Sequence, residues 1–132
     1  MAAKRGGVVI RDGEALRFLP ASAVVRIVPC PPVSRVPGAP KPLVGIAHTE
    51  GEVVPVVSVD ARGTSAGVLI VCRYLGEPVG LVGCEVLASG MYDPHPDAEG
   101  AVMVDGVAAR TLDLGATFAS LQGARWALRF GG

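Results

Sequence analysis

The side chains in this 132-residue sequence best suited to hold a metal or carry a covalent step are two histidines, three cysteines and a scatter of carboxylates. His48 and Glu50 alternate at the head of the apolar run "HTEGEVVPVVSVD", and Asp93, His95, Asp97 and Glu99 alternate along "YDPHPDAEG". Oxygen and imidazole donors of this kind suit several divalent ions. Neither stretch has the paired His or Cys spacing of a closed site, and no EF-hand pattern is present. The second stretch reads better as a solvated surface loop stiffened by its prolines. A thiol nucleophile needs a base held beside it. Cys72 and Cys84 lie inside apolar runs, where cysteine behaves as a small buried hydrophobe, whereas Cys30 sits among prolines and is the more open of the three. A small metal- or thiol-dependent enzyme using His48, Glu50, His95 or Cys30 is therefore the second reading, not the first. No serine-hydrolase elbow, phosphate-binding glycine loop or dinucleotide fingerprint appears, and the residues point to no cofactor and no metal.

The bulk numbers narrow the class. Half of the residues are hydrophobic and 18% are charged, so the chain buries a core. Lysines plus arginines equal aspartates plus glutamates at 12 each. With no basic surplus and no basic-aromatic stripe, nucleic acid is not an expected partner. Zero net charge leaves self-association open. The opening "MAAKRGGVVIRDG" has a basic pair with no apolar region behind it, which is not a signal peptide, and no apolar run reaches the roughly 20 residues of a membrane helix. An odd number of cysteines without paired spacing suits a reducing cytoplasmic compartment.

The elements that must position these residues are mostly strands. Eighteen glycines and eleven prolines punctuate short apolar runs, the pattern of many strands joined by turns. Asp12-Gly13 and Asp105-Gly106 each divide two apolar runs and predict tight hairpins with positive φ at both central residues; a third is expected around Gly76-Glu77. Six prolines lie between Pro29 and Pro42, which predicts an extended, rigid crossover. "EVVPVV", "VLIVC" and "LVGC" are apolar almost throughout, as expected of antiparallel strands covered on both faces in small barrels that pack against each other. Gly80 and Gly83 would let such strands coil sharply. Pro55, inside one run, is expected at a barrel rim, at an edge or bulge where its missing amide faces no partner. Helix signals are few. "ASAVVRIV" suggests one turn capped by Ser22, becoming strand by Ile27. In "DLGATFASLQG", Leu114, Phe118 and Leu121 share a helical face, with Asp113 as cap and Gly123 as stop. Trp126 would lock a terminal element onto the body, and the other aromatics, Phe18, Tyr74, Tyr92, Phe118 and Phe130, read as core.

The stretch from Val24 to Asp60 resembles the central signature of the CheW-like domain. The matching parts are Pro37-Gly38-Ala39-Pro40, Gly45-Ile46-Ala47, the turn His48-Thr49-Glu50-Gly51 and the valine-rich Val53 to Val57 with its internal proline. "VVIRDGEALRFLPASAVVRIV" is similar to the family's opening hairpin and short helix, "PVGLVGCEVLASGMYD" to its Gly-Leu-x-Val-Asp-x-Val segment, and "DGVAARTLDLGATFASL" to its closing strand and helix. The resemblance covers essentially the whole chain. It implies a mostly β fold: two small five-stranded SH3-like barrels packed side by side as one intertwined domain over residues 1–132, with short helices including one near the C-terminus. It implies a non-enzymatic adaptor in a bacterial chemosensory pathway, joining chemoreceptor coiled coils to a CheA-type histidine kinase, without membrane insertion. The contact residues it suggests are Val24, Arg26, Arg35, His48, Thr49 and Glu50, with Glu85, Val86 and Leu87 in "EVLASGM" as a candidate kinase-facing strand. Glu50 stands where the family turn carries an arginine, and Gly83-Cys84 where it carries Val-Asp, which implies an altered partner set.

Overall fold

A computed structural model describes residues 3–35, 37–38, 43–59 and 67–119. Eleven strands, a 3-10 turn and one short helix follow in the order β1 (Arg5–Asp12), β2 (Ala15–Pro20), the 3-10 turn Ala21–Ala23, β3 (Val24–Pro29), β4 (Val33–Ser34), β5 (Leu43–Thr49), β6 (Glu52–Ser58), β7 (Val68–Tyr74), β8 (Glu77–Val82), β9 (Glu85–Tyr92), β10 (Ala101–Val104), β11 (Val107–Thr111) and α1 (Leu114–Thr117).

The strands form two curled sheets. The first has the order β10-β11-β2-β1-β9 and the second β3-β7-β8-β6-β5-β4. The chain starts in the first sheet, builds the second, and returns. Past the end of β9 the first sheet closes on itself: Pro94 bridges Val102, the His95 amide donates to the Ala101 carbonyl, and the Met103 amide donates to the Asp93 carbonyl. The second sheet has the expected five strands plus the two-residue β4. Its distant strands β3 and β5 are tied by Arg26, described below.

The apolar runs are explained by three hydrophobic clusters. Val9, Phe18, Val102 and Ala109 fill the first sheet. Ala47, Val56, Leu69, Val71 and Val82 fill the second. Between the sheets lies a shared cluster that includes Val8, Ile10 and Leu19 from one, and Val57, Ile70, Cys72 and Leu81 from the other. The two-residue period of a strand sends alternate side chains to opposite faces. Leu69 and Val71 therefore point into their own sheet while Ile70 and Cys72 point into the seam. Strands apolar at every position are what two packed barrels require, as the sequence predicts.

The turns hold to their chemistry with two shifts of position. Asp105-Gly106 has φ of 49° and 80°, and Glu50-Gly51 has 52° and 77°, the pattern of type I′ hairpins. The third hairpin turns at Leu75-Gly76, not Gly76-Glu77, because Tyr74 already pairs with Glu77. At the first, Asp12 pairs with Ala15, so Gly13-Glu14 makes the turn and only Gly13 has positive φ.

Pro55 departs from expectation. It is buried in β6, flanked by β5 and β8, and pairs with Ile46. Counting from the two-residue turn, Thr49–Glu52 is a hydrogen-bonded pair, and alternation makes Ile46–Pro55 a non-bonded one. The missing amide thus faces β8, whose parallel ladder with β6 starts only at Val56. Proline is tolerated inside the sheet because the second ladder begins one residue later. Gly80 sits beside this point, where a Cβ would lie 2.7 Å from Leu69 Cδ1.

Ser22 lies within the 3-10 turn and caps nothing; Pro20 holds the cap position. Asp113 does cap α1, accepting from the Ala116 amide at 3.0 Å. Phe118 is fully buried with its ring 5.5 Å from that of Tyr74. Leu121, Gly123, Trp126 and Phe130 lie outside the described residues, as do Ala39, Pro40, Pro42 and Asp60. No helix of the described residues is long and apolar enough to cross a membrane.

Candidate protein-recognition site

The β5–β6 hairpin carries three of the residues singled out in the sequence. His48 is exposed and belongs to the strand, paired with Val53; Thr49 pairs with Glu52; and Glu50, exposed and left-handed, forms the tip with Gly51. A non-glycine residue at positive φ is uncommon and costs conformational energy. The tip therefore presents a carboxylate on a fixed two-residue turn.

Arg26 braces this hairpin from across the sheet. Its Nη2 donates to Glu52 Oε1 at 3.1 Å and to the Thr49 carbonyl at 3.4 Å. The β3–β7 register slips between Val24 and Arg26. That bulge keeps Arg26 half-buried while Val25 and Ile27 are exposed. Arg26 Nε is buried with no hydrogen-bond partner. Glu52 was not anticipated from sequence: the pair spans 26 positions, and only the curl of the sheet brings it together.

The remaining suggested contacts are dispersed. Arg35 is exposed just after β4, beside Gly45, where a Cβ would lie 3.1 Å from Arg35 Cα. Val24 and Val86 are half-buried against the shared cluster. Glu85 and Leu87 are exposed on β9, at the outer side of the first sheet. The residues thus divide into a group on the second sheet (Val24, Arg26, Arg35, His48, Thr49, Glu50) and a group on β9 (Glu85, Val86, Leu87). β9 is exposed at Leu87, Ala88, Ser89, Gly90 and Met91, all uncharged.

The residues of the enzyme alternative are not assembled. His48 and Glu50 are on the second-sheet hairpin, while His95 is in the loop after β9, its Nδ1 accepting the Asp97 amide at 3.0 Å. Cys30 directly follows β3, its thiol donating to the Pro31 carbonyl at 3.4 Å. Among the described residues no group of three His, Cys, Asp or Glu side chains could hold a metal ion. Cys72 and Cys84 are sealed in the seam. Burial, then the neighbouring Cys84, pushes the Cys72 thiol up to about 12. Burial, then Asp12, pushes Cys84 up to about 11. Both stay protonated at neutral pH and make poor nucleophiles.

Comparison with known proteins agrees with this architecture. The model of the CheW-like domain family matches residues 6–122. A crystal structure of the scaffolding protein TtCheW from Thermoanaerobacter tengcongensis has a similar fold, with a TM-score of 0.71 at 20% identity, covering 84% of this chain and 90% of that one. Comparison with curated proteins yields no match.

Proposed function

Since the chain belongs to the CheW-like domain family, we propose that it is one domain of two intertwined barrels working as a non-enzymatic adaptor in a chemosensory pathway. It couples a chemoreceptor coiled coil to the regulatory domain of a CheA-type histidine kinase in the cytoplasm. The receptor-facing side is the braced hairpin: His48, Thr49 and Glu50, flanked by Val24, Arg26 and Arg35. The kinase-facing side is β9, at Glu85, Val86 and Leu87.

The observation that carries this reading is the hairpin tip. A short turn held by Arg26 and presenting exposed polar side chains is suited to recognition. Its charge says what it fits. Glu52 is already matched by Arg26, whereas no ion pair engages Glu50 among the described residues. A partner that suits this tip presents a cation there, the reverse of what the family arginine would meet. The receptor it joins therefore carries Lys or Arg opposite Glu50.

Calorimetric titration of the full chain against the receptor cytoplasmic fragment and the kinase regulatory domain of the same organism tests this. Both bind. Glu50→Arg weakens the receptor complex about tenfold by placing like charges together and leaves the kinase complex unchanged. Binding to neither partner would remove the adaptor reading; an unaltered receptor affinity in Glu50→Arg would remove the hairpin from it.

A further inference from the structure

β9 is the last strand of the first sheet, with β1 on one side. Beyond Tyr92 the chain meets β10 through the Pro94–Val102 bridge, but from Leu87 to Met91 no strand among the described residues lies on the other side. All five of those residues are exposed, whichever side of the sheet they face. Such an edge leaves backbone amides and carbonyls without ladder partners, and native proteins cover it or charge it. Between Glu85 and Asp93 this one carries no charge. The edge also has room. Ala88 pairs with Val9, and Gly90 with Gly7. A Cβ on Gly7 would lie 2.6 Å from the Phe18 ring, whereas one on Gly90 would meet nothing within 4 Å. Ala88 and Gly90 thus lie on the Phe18 side of the sheet and put almost no side chain there.

Residues 124–130, Ala-Arg-Trp-Ala-Leu-Arg-Phe, lie outside the described residues. Their types alternate: in an extended chain Trp126, Leu128 and Phe130 share one side, and Arg125, Ala127 and Arg129 the other. Gly123 before them and Gly131-Gly132 after leave too few residues for a helix stable by itself. β9 is within reach, because Phe118 and Val86 pack in the same cluster between the sheets and residues 119–124 can span roughly 20 Å. Charge favours the same strand. Residues 120–132 carry two arginines and no acid, and β9 is bounded by Glu85 and Asp93. β3, the end strand of the second sheet, has Arg26 as its one charged residue.

We propose that residues 125–130 add to the free edge of β9 as a further strand, with Trp126, Leu128 and Phe130 laid over Ala88 and Gly90 and the two arginines between the acids that bound the strand. Main-chain pairing supplies the contact, the small residues of β9 admit the large ones of the segment, and covalent attachment holds the segment at high effective concentration. While it is bound, β9 is closed to other chains. On the adaptor reading above, a kinase domain docking on β9 therefore competes with it. The contact itself lies within one chain and needs no partner, so it is tested apart from that reading.

Trp126 is the single tryptophan of the chain, so fluorescence of the full chain reports on this contact. Its emission is blue-shifted from that of free tryptophan and shielded from acrylamide. Gly90→Lys, at a position with room for a side chain, shifts the emission to the red and removes the shielding while the far-ultraviolet circular dichroism stays the same. Ile27→Lys, on the exposed side of β3, changes neither. In Trp126→Ser, amide hydrogen exchange from Leu87 to Met91 speeds up. Wild-type emission at the position of free tryptophan overturns the proposal, as does emission that Ile27→Lys moves and Gly90→Lys does not. Unaltered exchange in Trp126→Ser overturns it whatever Gly90→Lys does to the fold. Shielding lost on dilution shows a second copy covering the strand, and overturns the choice of occupant.

Discussion

Among the described residues, each sheet carries one ion pair between residues far apart in the chain. Arg26–Glu52 in the second sheet spans 26 positions, and Arg11–Glu85 in the first spans 74. The first of these closes at 3.1 Å with side chains 23% and 46% exposed; the other is 3.4 Å with 49% and 63% exposed. Arg26 also holds the Thr49 carbonyl, so it fixes a backbone as well as a charge. Arg11 meets only the start of β9, a strand whose remaining outward residues are uncharged. One surface is thus a rigid, charged hairpin; the other is an apolar strand at the outer side of a barrel. The same pair of residue types does different work because one pair is half-desolvated and the other is not.

The comparison can be broken from the core outward. Phe18 fills the first sheet, edge-on to Tyr92 at 6.1 Å and beneath Arg5 at 5.0 Å. Phe18→Ala is expected to cost about 3–5 kcal/mol, and Leu69→Ala in the second sheet about 2–5 kcal/mol. Because the seam couples the sheets, denaturant unfolding of both variants remains one transition; separate transitions would show that the sheets stand independently.

The seam itself responds to alkali. Cys72 and Cys84 hold their protons more tightly when folded, at about 12 and about 11 against an ordinary 9.0. For a group whose folded pKa is raised, stability is complete below the unfolded value and falls as pH climbs from there through the folded one. Thermal stability should therefore drop between pH 9 and 12, and Cys72→Ala should flatten that drop. An identical profile in the variant would contradict the sealed seam.

Smaller effects separate the two ion pairs. Arg26→Ala strands Glu52 and frees the Thr49 carbonyl, with an expected loss of about 1 kcal/mol given their partial exposure. It also loosens the hairpin, which amide exchange at Thr49 and Val53 would reveal. Glu50→Gly relaxes the left-handed tip and should gain about 0.5–1 kcal/mol while losing receptor binding, a divergence that a purely structural turn would not show. Glu85→Ala, removing the exposed pair, should change stability by no more than about 0.5 kcal/mol. A larger loss there than in Arg26→Ala would reverse the ranking of the two surfaces.

Much of this molecule is local, and what is local is legible in the residues. Strand-dense chains announce themselves through Gly and Pro between apolar runs, and unbroken runs such as "VLIVC" imply cover on both faces. Asp105-Gly106 and the Asp113 cap lie where short-range chemistry puts them, since each depends on residues within four positions. Where local signals mislead, a pairing partner is responsible. The turn at Leu75-Gly76 is set by Tyr74 meeting Glu77, and Pro55 is admitted to the sheet interior by the late start of the β8 ladder. Neither fact is written in the residues beside it.

The recognition residues divide the same way. His48, Thr49 and Glu50 are recognisable because they are consecutive and mounted on a turn. The partnership of Arg26 with Glu52 and the sealing of Cys72 beside Cys84 each join distant segments, and side-chain type carries no record of register. The sequence alone decided which stretches become strands and turns, because backbone preference acts over a few residues. Only the curling of two sheets against one seam decided which charges are braced and which thiols are shut away, because burial and pairing are properties of the closed chain.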